Sequence, residues 1–438
     1  MRGLDIKHSA GIRLVVIAVI VMILQIPAGL IRDLIRGREA TRDGAVAEIS
    51  GKWGRAQTVA GPVLTVPYRI CEKNSKGKVI STTIAYAHFL PDDLSIAGTM
   101  VPQVRYRGIY EAVLYNGKLR LEGTFPHPDG KELGIASGDM MYDKAFLSVG
   151  ISDMKGIKET PRVHWNGETL PANPGIESRD VLESGVSAKV ALAEKTAGYP
   201  FAVDVDLNGS QQLSFLPLGK ETRVALSSRW TSPSFQGEFL PEKRTISKNG
   251  FSAEWKVLSL NRNYPQKWVG KNEHVSCSAF GVGLLLPLDG YLKTMRTTKY
   301  SLLFVVLTFA AFFVIEILRR VSVHPIQYLL VGLALVLFYT LLLSLTEHLR
   351  FHYSFLVAGA GIVGLVSAYS ASVLRSGRLA AVIGVVVSVL YGFLYVLLQC
   401  EDFALLLGSV GLFAMLGLFM YLTRTVDWFT VLKPAANE

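Results

Sequence analysis

The chain has 438 residues, of which 50% are hydrophobic and only 18% are charged, and its formal net charge is +10. The apolar residues are concentrated at the two ends, which is not the pattern of a soluble globular protein. Much of the basic excess lies beside apolar segments and no RNA- or DNA-binding motif occurs, so nucleic acid is excluded as a partner.

An apolar stretch near the start of the chain, Leu14–Ile31, contains no charged residue. It lacks a small-residue cleavage pattern, so we interpret it as an uncleaved anchor rather than a signal peptide. Five more stretches in the last third are long enough to cross a bilayer: Tyr300–Leu318, Ile326–Leu345, Phe355–Leu374, Leu379–Leu398 and Phe403–Leu422. The predicted fold class is therefore an α-helical membrane bundle of six helices in contact with lipid, together with a large polar segment between the first helix and the second.

The short loops of the bundle indicate its orientation. Basic residues follow the second and fourth spans and acidic residues follow the fifth, respectively Arg319 and Arg320, Arg375 and Arg378, and Glu401 and Asp402. Because cytoplasmic loops are enriched in Lys and Arg, both termini are predicted to be cytoplasmic and the large polar segment to lie outside. This orientation places four arginines on the outer side after the first span, against the rule: Arg32, Arg36, Arg38 and Arg42. Long domains, however, translocate largely regardless of such charge.

The polar segment is predicted to be rich in β strands. Runs such as TTIAYAHFL and FAVDVDL alternate apolar and polar residues, which indicates half-buried antiparallel strands and favours a β-sandwich. Asn-Gly pairs at 116–117, 208–209 and 249–250 predict turns. The length is compatible with one enlarged sandwich or with two.

These patterns divide the chain into five predicted parts. They are the N-terminus with the first transmembrane helix (1–32), a stalk helix (33–50), an outer β-rich domain (51–298), a five-helix bundle (299–424) and a cytoplasmic tail (425–438).

One block after the first span, RDGAVAEISGKWGRAQTVAGPVLTVPY, resembles the CreD family, as do several blocks in the last third. The residues that carry this resemblance in the first block are Arg42, Asp43, Glu48, Trp53, Gly54, Gln57, Gly61, Pro62, Pro67 and Tyr68. Later matches include HPIQYLLVGLALVLFYTLLLSLTEH, YGFLYVLLQCEDFALLLGSVGLF and MYLTRTVDW, whereas residues 129–194 show little similarity.

The resemblance implies an inner-membrane protein of Gram-negative bacteria. With the orientation predicted from the loops, the large domain is then expected in the periplasm. The resemblance also implies a role in cell envelope integrity, often under a two-component regulator that responds to growth conditions or envelope damage. It implies no established biochemical activity.

Two cysteines of the outer domain are either bonded to each other or free. Cys71 and Cys277 lie near its two ends and have neither zinc-site nor redox-motif spacing. In an oxidising compartment they would form a disulfide that ties these ends together; otherwise they are two free thiols.

Glu316 is the acidic residue placed well inside a span, where a charge is expensive. Arg319 and Arg320 follow at the spacing of helical neighbours, so an interfacial ion pair on one helix is the plainer interpretation. Proton or ion coupling is the alternative.

A second polar group is predicted at the outer end of the bundle. It consists of Glu347, His348 and His352 after the third span and of Tyr391, Tyr395, Gln399, Glu401 and Asp402 at the end of the fifth. If those helices are neighbours, this candidate polar cluster either joins helices to one another or binds a lipid head group or envelope precursor. Metal binding is disfavoured, because no third strong ligand accompanies the histidines.

We find no hydrolase, kinase or phosphate-binding motif, so no catalytic residue and no cofactor is predicted. The leading functional hypothesis is a non-enzymatic protein that supports envelope integrity by binding or sensing an envelope component or partner through its outer domain. The alternative is a transporter or lipid-handling protein that uses the polar cluster, and an envelope hydrolase or transferase is a third class. The sequence leaves the ligand and the oligomeric state open.

Overall fold

The computed structural model describes residues 10–75, 79–193, 196, 198–284, 290–319, 321–400 and 403–424. The chain divides into two compact units, a helical unit made of Met1–Arg42 with Leu288–Glu438 and a β unit made of Asp43–Pro287.

Seven α-helices lie in the described residues, and six of them are long and apolar enough to cross a membrane. They are α1 (Ala10–Trp53), α2 (Gly290–Lys299), α3 (Ser301–Arg319), α4 (Pro325–Thr346), α5 (Phe351–Leu374), α6 (Gly377–Gln399) and α7 (Ala404–Thr423), with α2 the short one. The six-helix bundle predicted from hydropathy is confirmed, with one spanning helix before the β unit and five after it.

The first span and the predicted stalk are one continuous helix, α1. One face of α1 is buried at intervals of three or four residues, as a helix that packs on one side requires: Ile20, Leu24, Ala28, Ile31 and Ile35. Leu24 packs against Gly332 of α4, where an added side chain would collide with it. The anchor is thus part of the bundle's core.

Helix α2 corrects the predicted start of the bundle at residue 299. It belongs to the helical unit and not to the β domain. Its composition is polar, yet Thr294, Thr297 and Thr298 are at most 2% exposed. A buried threonine packs its methyl group but does not count as apolar in a hydropathy pattern. Hydropathy therefore does not indicate that this segment packs on the membrane helices.

The β unit contains seventeen strands in the described residues. In chain order they are β1 (Gln57–Lys73), β2 (Val79–Phe89), β3 (Asp93–Arg107), β4 (Tyr110–Pro126), β5 (Phe146–Ile151), β6 (Arg162–Trp165), β7 (Glu168–Pro171), β8 (Asn173–Pro174), β9 (Gly185–Lys189), β10 (Gly198–Ser210), β11 (Gln212–Phe215), β12 (Glu221–Ser228), β13 (Pro233–Gly237), β14 (Lys243–Ser247), β15 (Gly250–Leu258), β16 (Lys267–Val269) and β17 (Phe280–Leu284).

These strands form two sheets. The nine-stranded sheet has the order β13-β17-β11-β1-β5-β9-β8, with β2 paired to β1 and β16 to β2. The eight-stranded sheet has the order β14-β15-β12-β3-β4-β10-β6-β7. Two pairs, β1 with β11 and β3 with β12, are parallel, which corrects the expectation of antiparallel strands throughout. Long connections separate the partners of each parallel pair, and parallel pairing requires such crossovers.

Buried side chains from both sheets form one hydrophobic cluster. Val59 and Leu64 enter it from β1 of the first sheet, and Ile96, Leu121 and Val203 enter it from β3, β4 and β10 of the second. The sequence left open whether the polar segment forms one enlarged sandwich or two. Because the two sheets share this core, the segment forms one two-layered unit.

Two of the three Asn-Gly pairs are not turns. Asn116-Gly117 lies within β4 and Asn208-Gly209 within β10, where the two asparagines face each other across the ladder. Gly209 is required there because an added Cβ would lie 2.3 Å from the hydroxyl oxygen of Tyr115. Only Asn249-Gly250 connects two strands, β14 and β15.

The sequence left a disulfide and two free thiols both open for Cys71 and Cys277, and in the structure both are free thiols. Cys71 lies in β1 opposite Thr82 of β2, in a part of this ribbon whose side chains are largely exposed. Cys277 is exposed in a short turn before β17.

Candidate functional site

Glu347 ends α4 and binds residues of α1 and α2. The hydroxyl of Tyr291 donates a hydrogen bond to Glu347 Oε1 at 3.0 Å, and Arg38 Nε lies 3.7 Å from the same oxygen. The guanidinium of Arg42 stacks over the Tyr291 ring, 5.4 Å from its centroid. Of the four arginines after the first span, which opposed the orientation inferred from the loops, Arg38 therefore serves as a counterion to Glu347.

A second polar group joins α5 to α6. His352 Nδ1 lies 2.8 Å from the hydroxyl oxygen of Tyr395 and 3.0 Å from Nε2 of Gln399. The side chains of His352 and Gln399 are both exposed on the surface of the helical unit. Tyr391, one turn earlier, is instead buried, with its ring centroid 4.5 Å from that of Phe338.

The polar cluster predicted from sequence is thus not a single group. Glu347 binds partners on α1 and α2, while His352, Tyr395 and Gln399 bind one another. His348 is exposed in the turn after α4, and Glu401 and Asp402 lie outside the described residues. No group of three His, Cys, Asp or Glu side chains suited to a metal occurs within the described ranges.

Glu316 has an unexpected partner. Its carboxylate accepts hydrogen bonds from Arg13 Nη1 of α1 at 2.6 Å, from Tyr328 Oη of α4 at 2.9 Å and from the backbone N–H of Val323 at 3.1 Å. The predicted pairing with Arg319 is wrong, and Arg320 lies outside the described residues. Glu316 thus joins α3 to α1 and α4, and all three partners of its carboxylate are structural.

His88 lies in a hydroxyl–imidazole–carboxylate arrangement inside the β unit. Its Nδ1 lies 3.0 Å from Thr65 Oγ1, across the ladder from β2 to β1, and its Nε2 lies 3.2 Å from Asp180 Oδ2. Thr65 is only 2% exposed, so its hydroxyl is not accessible to attack a substrate. The arrangement is therefore a buried structural network.

Burial lowers the pKa of His88 from its ordinary value of 6.5, although the hydrogen bond and charge of Asp180 act in the opposite direction. Between pH 6.5 and the lowered pKa, His88 binds a proton in the unfolded chain but not in the folded chain. The free energy of unfolding therefore decreases as the pH falls through this range. We expect the thermal midpoint of the β unit, followed by tryptophan fluorescence, to decrease between pH 6.5 and 5. The decrease should be shallower in His88→Gln than in His274→Gln, which alters an exposed histidine; equal slopes would contradict this.

A depression lies on the solvent-facing side of the eight-stranded sheet. Its volume is about 590 Å³. Ala97 of β3 and Ala225 of β12 are direct neighbours in the ladder and form its floor. Arg120 of β4 flanks the floor beyond Ala97, and Glu254 of β15 flanks it beyond Ala225. Arg120 and Glu254 are thus the rims of the alanine floor. Beyond Arg120 the same row of the ladder continues through Asp204 of β10 to Arg162 of β6, so the lining of this groove extends across six strands, roughly 24 Å at about 4.8 Å per strand.

Both signs of charge line this groove. Three cations (Lys118, Arg120 and Arg162) and four carboxylates (Glu159, Asp204, Asp206 and Glu254) contribute to it. Arg120 is paired with Glu122 and Asp204, and Asp206 accepts a hydrogen bond from Asn116. The side chains of Lys118, Glu159 and Arg162 have no polar partner among the residues described, so they are available to a ligand.

This groove was not predicted from the sequence. The signal was present as small exposed residues at alternate positions of three strands: Ser95 and Ala97, Ala225 and Ser227, and Ser252. These segments are far apart in the chain, and only the pairing of β3 with β12 and of β12 with β15 brings them together.

Comparison with known proteins agrees with this architecture. The family profile described as "Inner membrane protein CreD" matches residues 9–429. The chain is also 32% identical over 426 residues to the inner membrane protein CreD of Escherichia coli (strain K12), an alignment that covers 94% of this chain and 92% of that protein. The match includes both units and all six membrane-spanning helices. The chain therefore belongs to the CreD family of inner-membrane proteins.

Proposed function

We propose that this protein is a non-enzymatic receptor that supports envelope integrity, with a periplasmic β unit that binds an envelope component and a helical unit that anchors it. The observation that carries the proposal is the groove over Ala97 and Ala225. Its volume of about 590 Å³ falls within the range of ligand sites. The charged side chains that line it without a polar partner among the described residues, Lys118, Glu159 and Arg162, are exposed and therefore accessible to a ligand.

The charge of the loops supports a periplasmic β unit. Arg319 ends α3, Arg375 follows α5, and Arg378 is in the first turn of α6, so these two connections share the basic character of cytoplasmic loops. The turn between α4 and α5 contains Glu347 together with basic residues, and Glu347 is already paired with Arg38.

The natural thiols provide a test of this orientation. Cys277 is exposed in the β unit, so a membrane-impermeant maleimide should label it in intact spheroplasts. Cys71, the second thiol of the β unit, is partly exposed, so Cys71→Ser/Cys277→Ser should remove that label. In this background, a thiol introduced by Arg378→Cys should react only after the membrane is permeabilised. Labelling of Cys277 that requires permeabilisation would place the β unit in the cytoplasm.

Filling the groove tests the receptor function. Ala97 and Ala225 are exposed, so Ala225→Trp should occupy the groove without entering the core. We expect this variant to reach the membrane at normal levels but to fail to restore detergent resistance to a deletion strain. Ala202→Trp is the matched control, because Ala202 lies on the same face of β10 but does not line the groove. Full complementation by Ala225→Trp and Ala97→Trp would refute the proposal.

The transporter or lipid-handling alternative has weaker support. The polar side chains on which it rests are divided between the Glu347 group and the His352 group. A gap inside the bundle, lined by Phe312, Tyr328 and Tyr369 among others, has no room for a water molecule.

A further inference from the structure

We propose that the groove binds a short peptide that carries both free carboxylate and free ammonium groups. This inference rests on the proposed receptor function and specifies its ligand class. The three cations and four carboxylates of the lining are the first argument. The carboxylates would repel a simple anion, and the lysine and arginines would repel a simple cation. A ligand that carries both charges is complementary to both kinds of side chain.

The side chains without polar partners indicate where each ligand group would bind. Lys118 and Arg162 are the cations available to ligand carboxylates, and Arg162 has the planar fork suited to bidentate contact. Glu159 is the carboxylate available to an ammonium group. Arg120 is held by Glu122 and Asp204, so it contributes to the shape of the rim rather than to a ligand contact.

The floor and walls between these charges suit a peptide backbone. Thr99, Thr160, Ser227 and Ser252 line the groove with hydroxyl groups that both donate and accept hydrogen bonds, as amide N–H and C=O groups require. The alanine floor permits close approach of an extended chain. None of the described lining residues is aromatic, so the ring stacking that binds planar ligands is not provided by the groove.

The binding test uses the full-length protein in lipid nanodiscs and isothermal titration with defined peptides. One probe is the tetrapeptide Ala-Glu-Lys-Ala with free ends, and a second is the γ-linked tetrapeptide Ala-γ-Glu-diaminopimelate-Ala of the cell wall. Each is also tested with its carboxylates amidated or with its amines acetylated. We expect saturable binding of at least one free peptide and an affinity loss of about tenfold for each blocked form. The stronger of the two free peptides identifies the source.

Matched variants assign the contacts. In Lys118→Gln/Arg162→Gln, the free peptide should bind about tenfold more weakly and amidation should have little further effect. In Glu159→Gln, acetylation should have little further effect. Lys248→Gln, in the exposed turn between β14 and β15, should bind as the wild type does. Unchanged affinity in both groove variants would overturn the assignment.

Three further outcomes are decisive. If neither tetrapeptide binds, or if glycerophosphoethanolamine binds more tightly than both, the ligand is not a peptide and the inference fails. If peptides fail while Ala225→Trp still abolishes complementation and Ala202→Trp does not, the receptor function stands with another ligand class. If Ala225→Trp complements fully, the receptor function itself fails.

Discussion

Replacement of Glu316 by glutamine is expected to destabilise the helical unit by about 3 kcal/mol, because it leaves a partly buried arginine without its counterion. Glu316 is 3% exposed and accepts hydrogen bonds from Arg13, Tyr328 and the backbone of Val323. Glutamine keeps an acceptor oxygen but removes the charge. Thermal or denaturant unfolding of the full-length protein in detergent measures this loss, and the amount of protein in the membrane should fall with it.

Two further variants separate charge from packing. Arg13→Gln/Glu316→Gln removes both charges and should recover part of the lost stability, because no uncompensated charge remains. Asp33→Asn is the control: Asp33 pairs with Arg36 on α1, but both side chains are mostly exposed, 72% and 68%. Such surface pairs contribute at most about 1 kcal/mol. A Glu316→Gln variant as stable as Asp33→Asn would mean that the pair does not hold α1 in the bundle.

Replacement of Arg262 by methionine is expected to destabilise the β unit by about 3 kcal/mol, because it leaves several carbonyl groups in the interior without a donor. Arg262 is 8% exposed and donates to the carbonyl oxygens of Tyr264, Leu218 and Gly219 and to the side-chain oxygen of Gln266. Its guanidinium also stacks 4.1 Å from the centroid of the Tyr264 ring. Burial lowers the pKa of Arg262, but guanidinium groups stay protonated in proteins.

The unfolding midpoint of the β unit, followed by tryptophan fluorescence, measures this effect. Arg262→Lys keeps the charge but not the planar fork, so it should fall between methionine and the wild type. Arg229→Met removes an exposed arginine and should change stability little. Equal midpoints for Arg262→Met and Arg229→Met would show that the carbonyl groups find other donors.

The membrane helices were predictable within a few residues because hydropathy is a local property of the chain. The predicted span Leu379–Leu398 corresponds to α6 at Gly377–Gln399, and the others agree similarly. Helix α2 was missed because its buried threonines carry no apolar signal. The two-sheet β unit was also predictable in class, since alternation along one strand is local as well.

Long-range pairing was not predictable. Glu316 was assigned to Arg319 because neighbours on one helix can be read from spacing, whereas Arg13 lies 303 residues away in sequence. Asn116 and Asn208 looked like turn residues, yet they face each other in the middle of two long strands. The groove depends in the same way on the register of β3, β12 and β15, which no local pattern specifies.

The most direct test of a ligand-binding β unit is photocrosslinking in living cells. A benzoylphenylalanine introduced at Ser227, at the edge of the groove, is compared with one at Lys248 in the exposed β14–β15 turn. We predict an adduct at position 227 that is absent at position 248 and that disappears when Ala97→Trp fills the groove. An equal pattern at both positions, in variants that still support envelope integrity, would contradict the account.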